Sequence, residues 1–158
     1  MGDITSFPTQ AIVNSANPTL LAGSGVCGVI HRVAGPELEA ACRSIGRIAV
    51  GTAVLTRAFS LPAEFVIHAV APRFLDGNRG ELDALRHTYE AICKIVTEQE
   101  IAHVSIPSLG TGIYRFPLEI ASSLAVDVLR EKLPANCTAT IVCFDEKTAE
   151  AYKNALFK

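Results

Sequence analysis

Apolar positions recur along the chain with two different spacings. Short runs rich in Val, Ile and Ala alternate with longer stretches in which apolar residues repeat every three to four positions. The first pattern is typical of buried strands and the second of amphipathic helices. Strands are predicted over residues 11–13, 52–56, 64–70, 102–106 and 138–144. Helices are predicted over residues 25–34, 37–45, 81–99, 117–132 and 146–157.

Turn residues separate these elements and support their order. Gly35-Pro36 breaks the first helix, and Pro36 suits the first turn of the second. Near the start, Thr5 and Ser6 are candidate caps for a short helical piece near Pro8. Because strands alternate with helices, the pattern predicts an α/β fold with helices on both faces of a mostly parallel sheet. No linker or repeat interrupts it, so we expect residues 1–158 to form one domain.

Two glycine-rich segments each follow a predicted strand. Loop one, G-S-G-V-C-G over residues 23–28, opens a helix, and loop two, S-L-G-T-G-I-Y, covers residues 108–114. Glycine lets the backbone approach a ligand closely, and a helix start offers unpaired N–H groups to an anion. Ligands of α/β sheets bind beyond the carboxyl ends of strands. The two loops predict a ligand with more than one phosphate, although each taken alone also suits a tight turn without a ligand.

Neither loop matches a standard nucleotide fingerprint. Residues 23–28 formally fit G-x-G-x-x-G, which alone is a weak signal. The acidic residues that follow, Glu37 and Glu39, fall in a helical stretch rather than at the end of a second strand, which argues against a Rossmann site. No G-K-[ST] is present, so a P-loop kinase or NTPase is also excluded.

Charge and cysteine content exclude further classes of protein. The net charge of −2 comes without any basic block, which argues against a general nucleic-acid surface. No apolar run approaches the roughly 20 residues of a membrane span, and the start resembles no signal peptide. The five cysteines form no C-x-x-C pair, which disfavours a disulfide framework or a metal site and indicates a reducing, cytoplasmic setting.

Several ordered motifs resemble those of macrodomains, the ADP-ribose-binding modules, and most of all the bacterial MacroD-type enzymes. The motifs are G-D-I-T at 2–5, V-N-S-A-N-P at 13–18, the first loop and helix with G-P at 23–36, V-I-H at 66–68, the second loop at 107–114 and V-C-F-D at 142–145. The resemblance implies a three-layer α/β/α macrodomain with a mixed, mostly parallel sheet and no cofactor. Family members have a further strand before G-D-I-T, so we expect the first strand to be missing and a sheet edge to be exposed.

The resemblance also implies where adenine would bind. Asp3 would accept a hydrogen bond from the adenine amino group, Ile4 would offer its backbone N–H, and Phe144 would pack on the ring. Judged by its own position alone, a phenylalanine at a strand end such as Phe144 is more often part of the core, and the resemblance reverses that preference.

The phosphates and the distal ribose would be held by the two loops and by the asparagine that ends the N-S-A-N segment. These residues are Asn17, Gly25, Val26, Cys27, Gly110, Thr111, Gly112, Ile113 and Tyr114. The expected partner is thus ADP-ribose or an ADP-ribosylated substrate, with nucleic acid expected only when it carries ADP-ribose. Asn17 also fits a purely structural role in a turn.

Cys27 departs from the family pattern and leaves the activity open. MacroD-type enzymes carry an aspartate at this place, which is taken to activate a water or to work with the substrate. Asn17 and Cys27 are therefore the candidate catalytic residues of a hydrolase of ADP-ribosyl or O-acetyl-ADP-ribose linkages. Cys27 and His31, four residues apart on a helix, also suit a thiolate–imidazole pair or a structural role. The alternative function is a reader that binds ADP-ribose without turnover.

Overall fold

The computed structural model describes residues 1–158 and contains five strands and five α-helices. The strands are β1 (Ala11–Ser15), β2 (Ala53–Arg57), β3 (Phe65–Ala69), β4 (His103–Pro107) and β5 (Thr138–Val142). The helices are α1 (Gly25–Ala34), α2 (Pro36–Ile45), α3 (Glu81–Glu98), α4 (Leu118–Lys132) and α5 (Glu146–Leu156). Each predicted element is present, and its ends lie within two residues of the prediction.

The strands form one mixed sheet in the order β2-β3-β1-β4-β5. β1 pairs in parallel with both β3 and β4, and β4 pairs in parallel with β5. Only β2 runs antiparallel, against β3. The carboxyl ends of β1, β4 and β5 therefore meet at the same edge of the sheet, where loops one and two begin.

Each face of the sheet is covered by helices, which gives the three layers predicted. Along β1, Ala11 and Val13 belong to a cluster of 22 buried residues shared with α3, α4 and α5. Ile12, on the opposite face, belongs to a cluster of 13 buried residues shared with α1 and α2. The alternation follows from the two-residue period of a strand, which sends successive side chains to opposite faces.

The first helical piece is capped differently from the prediction. A 3₁₀ turn covers Ile4–Ser6, and its N-cap is Asp3. The carboxylate accepts hydrogen bonds from the backbone N–H of Thr5 at 2.8 Å and from the Thr5 hydroxyl at 2.7 Å. The prediction of Thr5 and Ser6 as caps was wrong, because the carboxylate of Asp3 precedes them and is the stronger acceptor.

The polar loop before α3 is organised by a single carboxylate. Glu81 accepts hydrogen bonds from the backbone N–H groups of residues 75, 76, 77 and 79 at 2.7–3.0 Å. These bonds, led by those from Gly77 and Leu75, lower the pKa of Glu81 to about 2. The loop is therefore tied to the first turn of α3. At this position the helix dipole also stabilises the negative charge of Glu81.

The remaining expectations from composition concern thiols and membranes. All five cysteines are free and buried. None of the helices has both the length and the apolar character that crossing a bilayer requires.

Candidate ligand-binding crevice

A crevice of about 1140 Å³ opens at the carboxyl ends of β1, β4 and β5. Its volume is slightly above the range of about 300–1,000 Å³ that is typical of small-molecule sites. The structure brings all the predicted site residues to its walls: Asp3, Ile4, Asn17, Gly25, Val26, Cys27, Gly110, Thr111, Gly112, Ile113, Tyr114 and Phe144. They come from four separate parts of the chain, so the sheet topology is what unites them.

Loop one supplies free backbone donors at the start of α1. The N–H groups of Gly25, Val26 and Cys27 donate to no protein group. Gly25 has φ +60°, a left-handed conformation that favours glycine. At Gly28 a Cβ atom would lie 2.4 Å from the carbonyl oxygen of Gly23, so only glycine lets the loop fold back on the helix. The free donors coincide with the positive end of the helix dipole, which suits an anion.

Loop two presents a longer run of free donors. The five backbone N–H groups of residues 110–114 have no partner within the protein. The loop is closed instead through its carbonyls, since Phe116 N–H donates to Gly110 O at 2.8 Å and Arg115 N–H donates to Gly112 O at 3.0 Å. Gly110 has φ +81°, and a Cβ there would meet Phe116 at 3.1 Å. The turn is thus held in shape while its donors stay available.

Apolar and hydroxyl contacts anchor loop two to the larger core cluster. Leu109 and Phe116, which flank its glycines, are both buried in that cluster. The hydroxyl of Tyr152 donates to Ser108 Oγ at 3.0 Å, and Ser108 Oγ lies 2.8 Å from Thr111 Oγ1. These contacts fix the loop before any ligand arrives, which lowers the entropy cost of binding.

One end of the crevice is formed by residues from both ends of the chain. Gly2 N–H donates to Cys143 O at 2.8 Å, which places Asp3 and Phe144 at the same end. Phe144 is 79% exposed, so the alternative that its ring belongs to the core was wrong. The N–H of Ile4 has no protein partner. Hydrogen bonds from the side chain and then the backbone of Thr5 lower the pKa of Asp3, so its carboxylate is ionised at neutral pH.

Asn17 uses its side-chain amide within its own loop. Its Oδ1 accepts from the backbone N–H of Thr19 at 3.0 Å, and its Nδ2 donates to Leu21 O at 2.9 Å. Asn17 also lines the crevice. The turn role considered from sequence is therefore present, together with a position at the site.

Cys27 lies at the inner wall of the crevice as a neutral thiol. Its Sγ accepts from Asn14 Nδ2 at 3.8 Å and donates to Leu21 O at 3.7 Å. Burial raises its pKa above the ordinary value for a cysteine. The pairing with His31 is not formed, because both ring nitrogens of His31 are buried without a hydrogen-bond partner. Burial also lowers the pKa of His31, so neither group carries the charge that a thiolate–imidazolium pair requires.

Sequence reasoning missed several polar residues that line the crevice. Two are cations, Arg32 and Lys147, and two more are Ser108 and Asp145. A signal existed for Arg32, which lies seven residues after Gly25 and so on the same side of α1. Lys147 stands in the first turn of α5, two residues after the strand-end motif V-C-F-D. Their charges lie beside those of Asp3 and Asp145, whose pKa values they help to lower.

Comparisons with known proteins agree with this geometry. Residues 13–125 match the family model of the Macro domain. The chain is 43% identical over 159 residues to a macro domain-containing protein of Lactiplantibacillus plantarum, covering 98% of this chain and 92% of that one. It is also 43% identical over 162 residues to O-acetyl-ADP-ribose deacetylase 1 of Pantoea vagans, covering 98% of this chain and 95% of that one. The chain belongs to the Macro domain family, as its motifs predict.

Solved structures confirm the fold. An Oceanobacillus iheyensis macrodomain with ADP superposes with a TM-score of 0.95 at 32% identity, covering 99% of this chain and 87% of that one. A Trypanosoma brucei macrodomain in complex with ADP-ribose gives a TM-score of 0.86 at 30% identity, covering 98% of this chain and 66% of that one. The three-layer α/β/α prediction is thus confirmed by proteins of the same family.

Proposed function

We propose that residues 1–158 form a single macrodomain whose crevice binds ADP-ribose. The observation that carries this proposal is the set of eight backbone N–H groups without protein partners, three in loop one and five in loop two. Such donors favour negatively charged oxygens, and two groups of them suit the two phosphates of a diphosphate. Related macrodomains solved with ADP and with ADP-ribose support the same ligand class.

The residues at the two ends of the crevice indicate where the adenine and the distal ribose would bind. Adenine would bind beside Phe144, with its amino group donating to Asp3 and a ring nitrogen accepting from Ile4 N–H. An exposed aromatic face and an ionised carboxylate at one end favour a base with an exocyclic amino group. The distal ribose would then lie between Asn17 and Tyr114, near Cys27.

Calorimetry tests the binding proposal. We expect a Kd in the micromolar range for ADP-ribose, about 8 kcal/mol of binding free energy. AMP and ribose should bind much more weakly, because each engages only part of the crevice. No heat of binding at millimolar ADP-ribose would overturn the proposal.

We also propose slow hydrolysis of an ADP-ribosyl or O-acetyl-ADP-ribose linkage. A relative with 43% identity named O-acetyl-ADP-ribose deacetylase 1 supports this reaction class. The thiol of Cys27 is a poor general base, because burial raises its pKa and its proton is directed at Leu21 O. A water beside the distal ribose therefore lacks the carboxylate that the resemblance places at this position, and turnover should be slow.

A reader without turnover is the second candidate. It is favoured by one observation: the side chains of both candidate catalytic residues, Asn17 and Cys27, are already engaged by the same carbonyl, Leu21 O. In this case ADP-ribose would bind, and a mono-ADP-ribosylated protein would keep its modification.

A single-turnover assay with mono-ADP-ribosylated protein separates the two candidates. Cys27→Asp should hydrolyse about 10²–10⁴-fold faster than the wild type, the usual contribution of a general base. ADP-ribose affinity should change little, since loop one is expected to bind through backbone N–H groups. If wild type and Cys27→Asp both bind but neither releases ADP-ribose, the chain is a reader. If wild type and Cys27→Ala are equally active, Cys27 takes no part and Asn17 becomes the residue to test.

A further inference from the structure

A line of buried polar side chains crosses the sheet beneath loop one. It joins Thr56 on β2, His68 on β3, Asn14 on β1 and Cys27 on α1. His68 Nε2 lies 2.9 Å from Thr56 Oγ1, and His68 Nδ1 lies 3.0 Å from Asn14 Nδ2. All of these side chains are more than nine-tenths buried. The order β2-β3-β1 makes the line continuous from a strand outside the crevice to the wall of the site.

The hydrogen bonds define where each proton lies. Thr56 Oγ1 donates its one proton to Arg57 O at 2.9 Å, so it accepts from His68 Nε2–H. His68 is neutral, since burial lowers its pKa to about 3, and a neutral ring carries one proton. His68 Nδ1 is consequently an acceptor, which is satisfied by the N–H of Asn14.

The line ends on the two candidate catalytic residues. Asn14 directs an N–H of the same amide at Cys27 Sγ, 3.8 Å away. Cys27 in turn donates to Leu21 O, the carbonyl that also accepts from Asn17 Nδ2. Asn14 Oδ1 is left buried without a partner. In a reversed amide this oxygen would face His68 Nδ1, which donates to it only when the ring carries its proton there. The ring tautomer and the amide orientation are therefore coupled.

We propose that Thr56 is a remote positioning residue for this site. By accepting from His68 Nε2–H, it selects the ring tautomer that orients the Asn14 amide, so residue 27 meets an N–H and not a carbonyl oxygen. The inference concerns the unliganded protein and goes beyond the proposed function, because it holds whether or not substrate is turned over. With the amide in this orientation, the Asn14 N–H would also stabilise a carboxylate at residue 27, because an N–H donates to a negatively charged oxygen.

The matched variants are Thr56→Val and Thr56→Ser. Valine keeps the shape of threonine and removes the acceptor, whereas serine keeps it. Histidine-selective ¹⁵N NMR reads the protonated ring nitrogen directly. We expect Nε2–H in wild type and in Thr56→Ser, and Nδ1–H in Thr56→Val. Cys42 Sγ, 3.8 Å from Nε2, is a weaker acceptor. If Thr56→Val retains the Nε2–H tautomer, the proposal is overturned.

Alkylation of Cys27 provides a readout at the site itself. The rate with iodoacetamide, resolved for Cys27 by peptide mass spectrometry at pH 8–10, reports its thiolate. Burial raises the pKa of Cys27, and the backbone of Gly23 and then the side chain of Asn14 lower it through hydrogen bonds. Loss of the Asn14 N–H alone should therefore make Thr56→Val about threefold slower at a given pH, because that bond favours the charged form. Thr56→Ser should match wild type. Equal rates in all three proteins would contradict the proposal, whatever the hydrolysis assay shows.

A second pair of variants addresses the next residue of the line, in case Thr56→Val does not fold. His68→Gln offers an oxygen to Asn14 and an N–H to Thr56, so it should keep the wild-type alkylation profile of Cys27. His68→Leu offers neither and should slow alkylation. The same profile in both variants would overturn the proposal, because a merely space-filling residue cannot distinguish them.

Discussion

Loops one and two line the same crevice but rest on different faces of the sheet. Loop two is flanked by Leu109 and Phe116, which lie in the cluster of 22 buried residues. Loop one lies over the other face, where Asn14, His68 and Thr56 replace part of the apolar lining. Both loops offer free backbone donors. The comparison teaches that backbone donors for an anion can be positioned either by apolar packing or by directional hydrogen bonds.

The two supports differ in what they leave unsatisfied. The buried side-chain atoms without a hydrogen-bond partner are Asn14 Oδ1 and both ring nitrogens of His31, all on the face below loop one. An unsatisfied buried group costs about 1–3 kcal/mol. The apolar face below loop two therefore stabilises the fold. On the polar face below loop one, unsatisfied groups lower the stability, while the hydrogen bonds there orient side chains at the site.

Gly112→Val tests the role of loop two and has the largest expected effect on ligand binding. A Cβ at Gly112 meets no atom within 4 Å, so the variant should fold normally. The added side chain projects into the space beside the free N–H groups. We expect affinity for ADP-ribose to fall at least 1000-fold, about 4 kcal/mol, as measured by calorimetry.

Gly110→Val is the contrasting variant in the same loop. Gly110 has φ +81° and its Cβ would lie 3.1 Å from Phe116, so valine should destabilise the protein itself. Loss of binding in both variants, with loss of thermal stability only in Gly110→Val, would separate contact with the ligand from loop folding. Unchanged affinity in folded Gly112→Val would show that loop two does not bind the ligand.

As the pH is lowered, the free energy of unfolding should fall first because of His68, and only at lower pH because of carboxylates such as Glu81. Burial lowers the pKa of His68 to about 3, while the unfolded side chain titrates near 6.5. Below pH 6.5 the unfolded state therefore binds a proton that the folded state excludes, and stability falls as pH falls. The limiting slope is about 1.4 kcal/mol per pH unit. Because the unfolded histidine is only half protonated at pH 6.5, the loss between pH 6.5 and 4.5 is about 2 kcal/mol.

Urea unfolding at several pH values measures this loss. His68→Gln removes the titrating group and should flatten most of the slope, leaving the smaller part due to His31, whose pKa is also lowered by burial. Glu81 loses its contribution only in a lower window, since its folded pKa is about 2 and its unfolded value about 4.5. A wild-type slope that His68→Gln does not change would contradict the burial of a neutral His68.

The sequence predicted local elements and loops better than contacts across the sheet. Periodicity placed all ten elements, because each depends on the burial of its own residues. The crevice residues were predicted from motifs that resemble those of macrodomains. No local pattern could have predicted them, since nothing in the sequence near Asp3 points to Phe144. The line through Thr56, His68 and Asn14 depends on the register of three strands, which periodicity does not reveal.

One sequence signal for this line existed nonetheless. Asn14 and His68 are polar residues inside otherwise apolar strands, and they are direct register partners in the parallel pair β1–β3. Two polar interruptions on one face of neighbouring buried strands predict a mutual hydrogen bond, because buried polar groups are rarely left unpaired. Lys147 carried no such mark, since exposed cations on helices are ordinary. Arg32 was marked only by its spacing of seven residues from Gly25 on α1.

Asp3→Asn sharpens the assignment of the adenine end. Asparagine keeps an oxygen that can accept from Thr5 and so preserves the cap, but it replaces the other carboxylate oxygen with a donor. We expect ADP-ribose to bind about tenfold more weakly, because the adenine amino group would meet a donor. Ribose 5-phosphate, which lacks the base, should bind as in wild type. Equal losses for both ligands would remove Asp3 from the adenine site.

His31→Leu tests the cost assigned to the polar face and has the smallest expected effect. Both ring nitrogens of His31 are buried without partners, and leucine has a similar volume without polar atoms. At pH 8, where the imidazole is neutral, the substitution should stabilise the protein by about 1 kcal/mol. That corresponds to a rise of about 2–4 °C in Tm for a domain of this size.

Ligand binding by His31→Leu shows whether His31 only lowers the stability or also contributes to the site. His31 does not line the crevice and is not bonded to Cys27, so ADP-ribose affinity and the alkylation rate of Cys27 should match wild type. His31→Ala is the control for packing, because it removes the same nitrogens but leaves a cavity and should destabilise. A destabilised His31→Leu variant, or one with altered Cys27 reactivity, would mean that the histidine makes a favourable interaction with its surroundings. The contrast between a purely apolar support and a directional one would then extend to α1 itself.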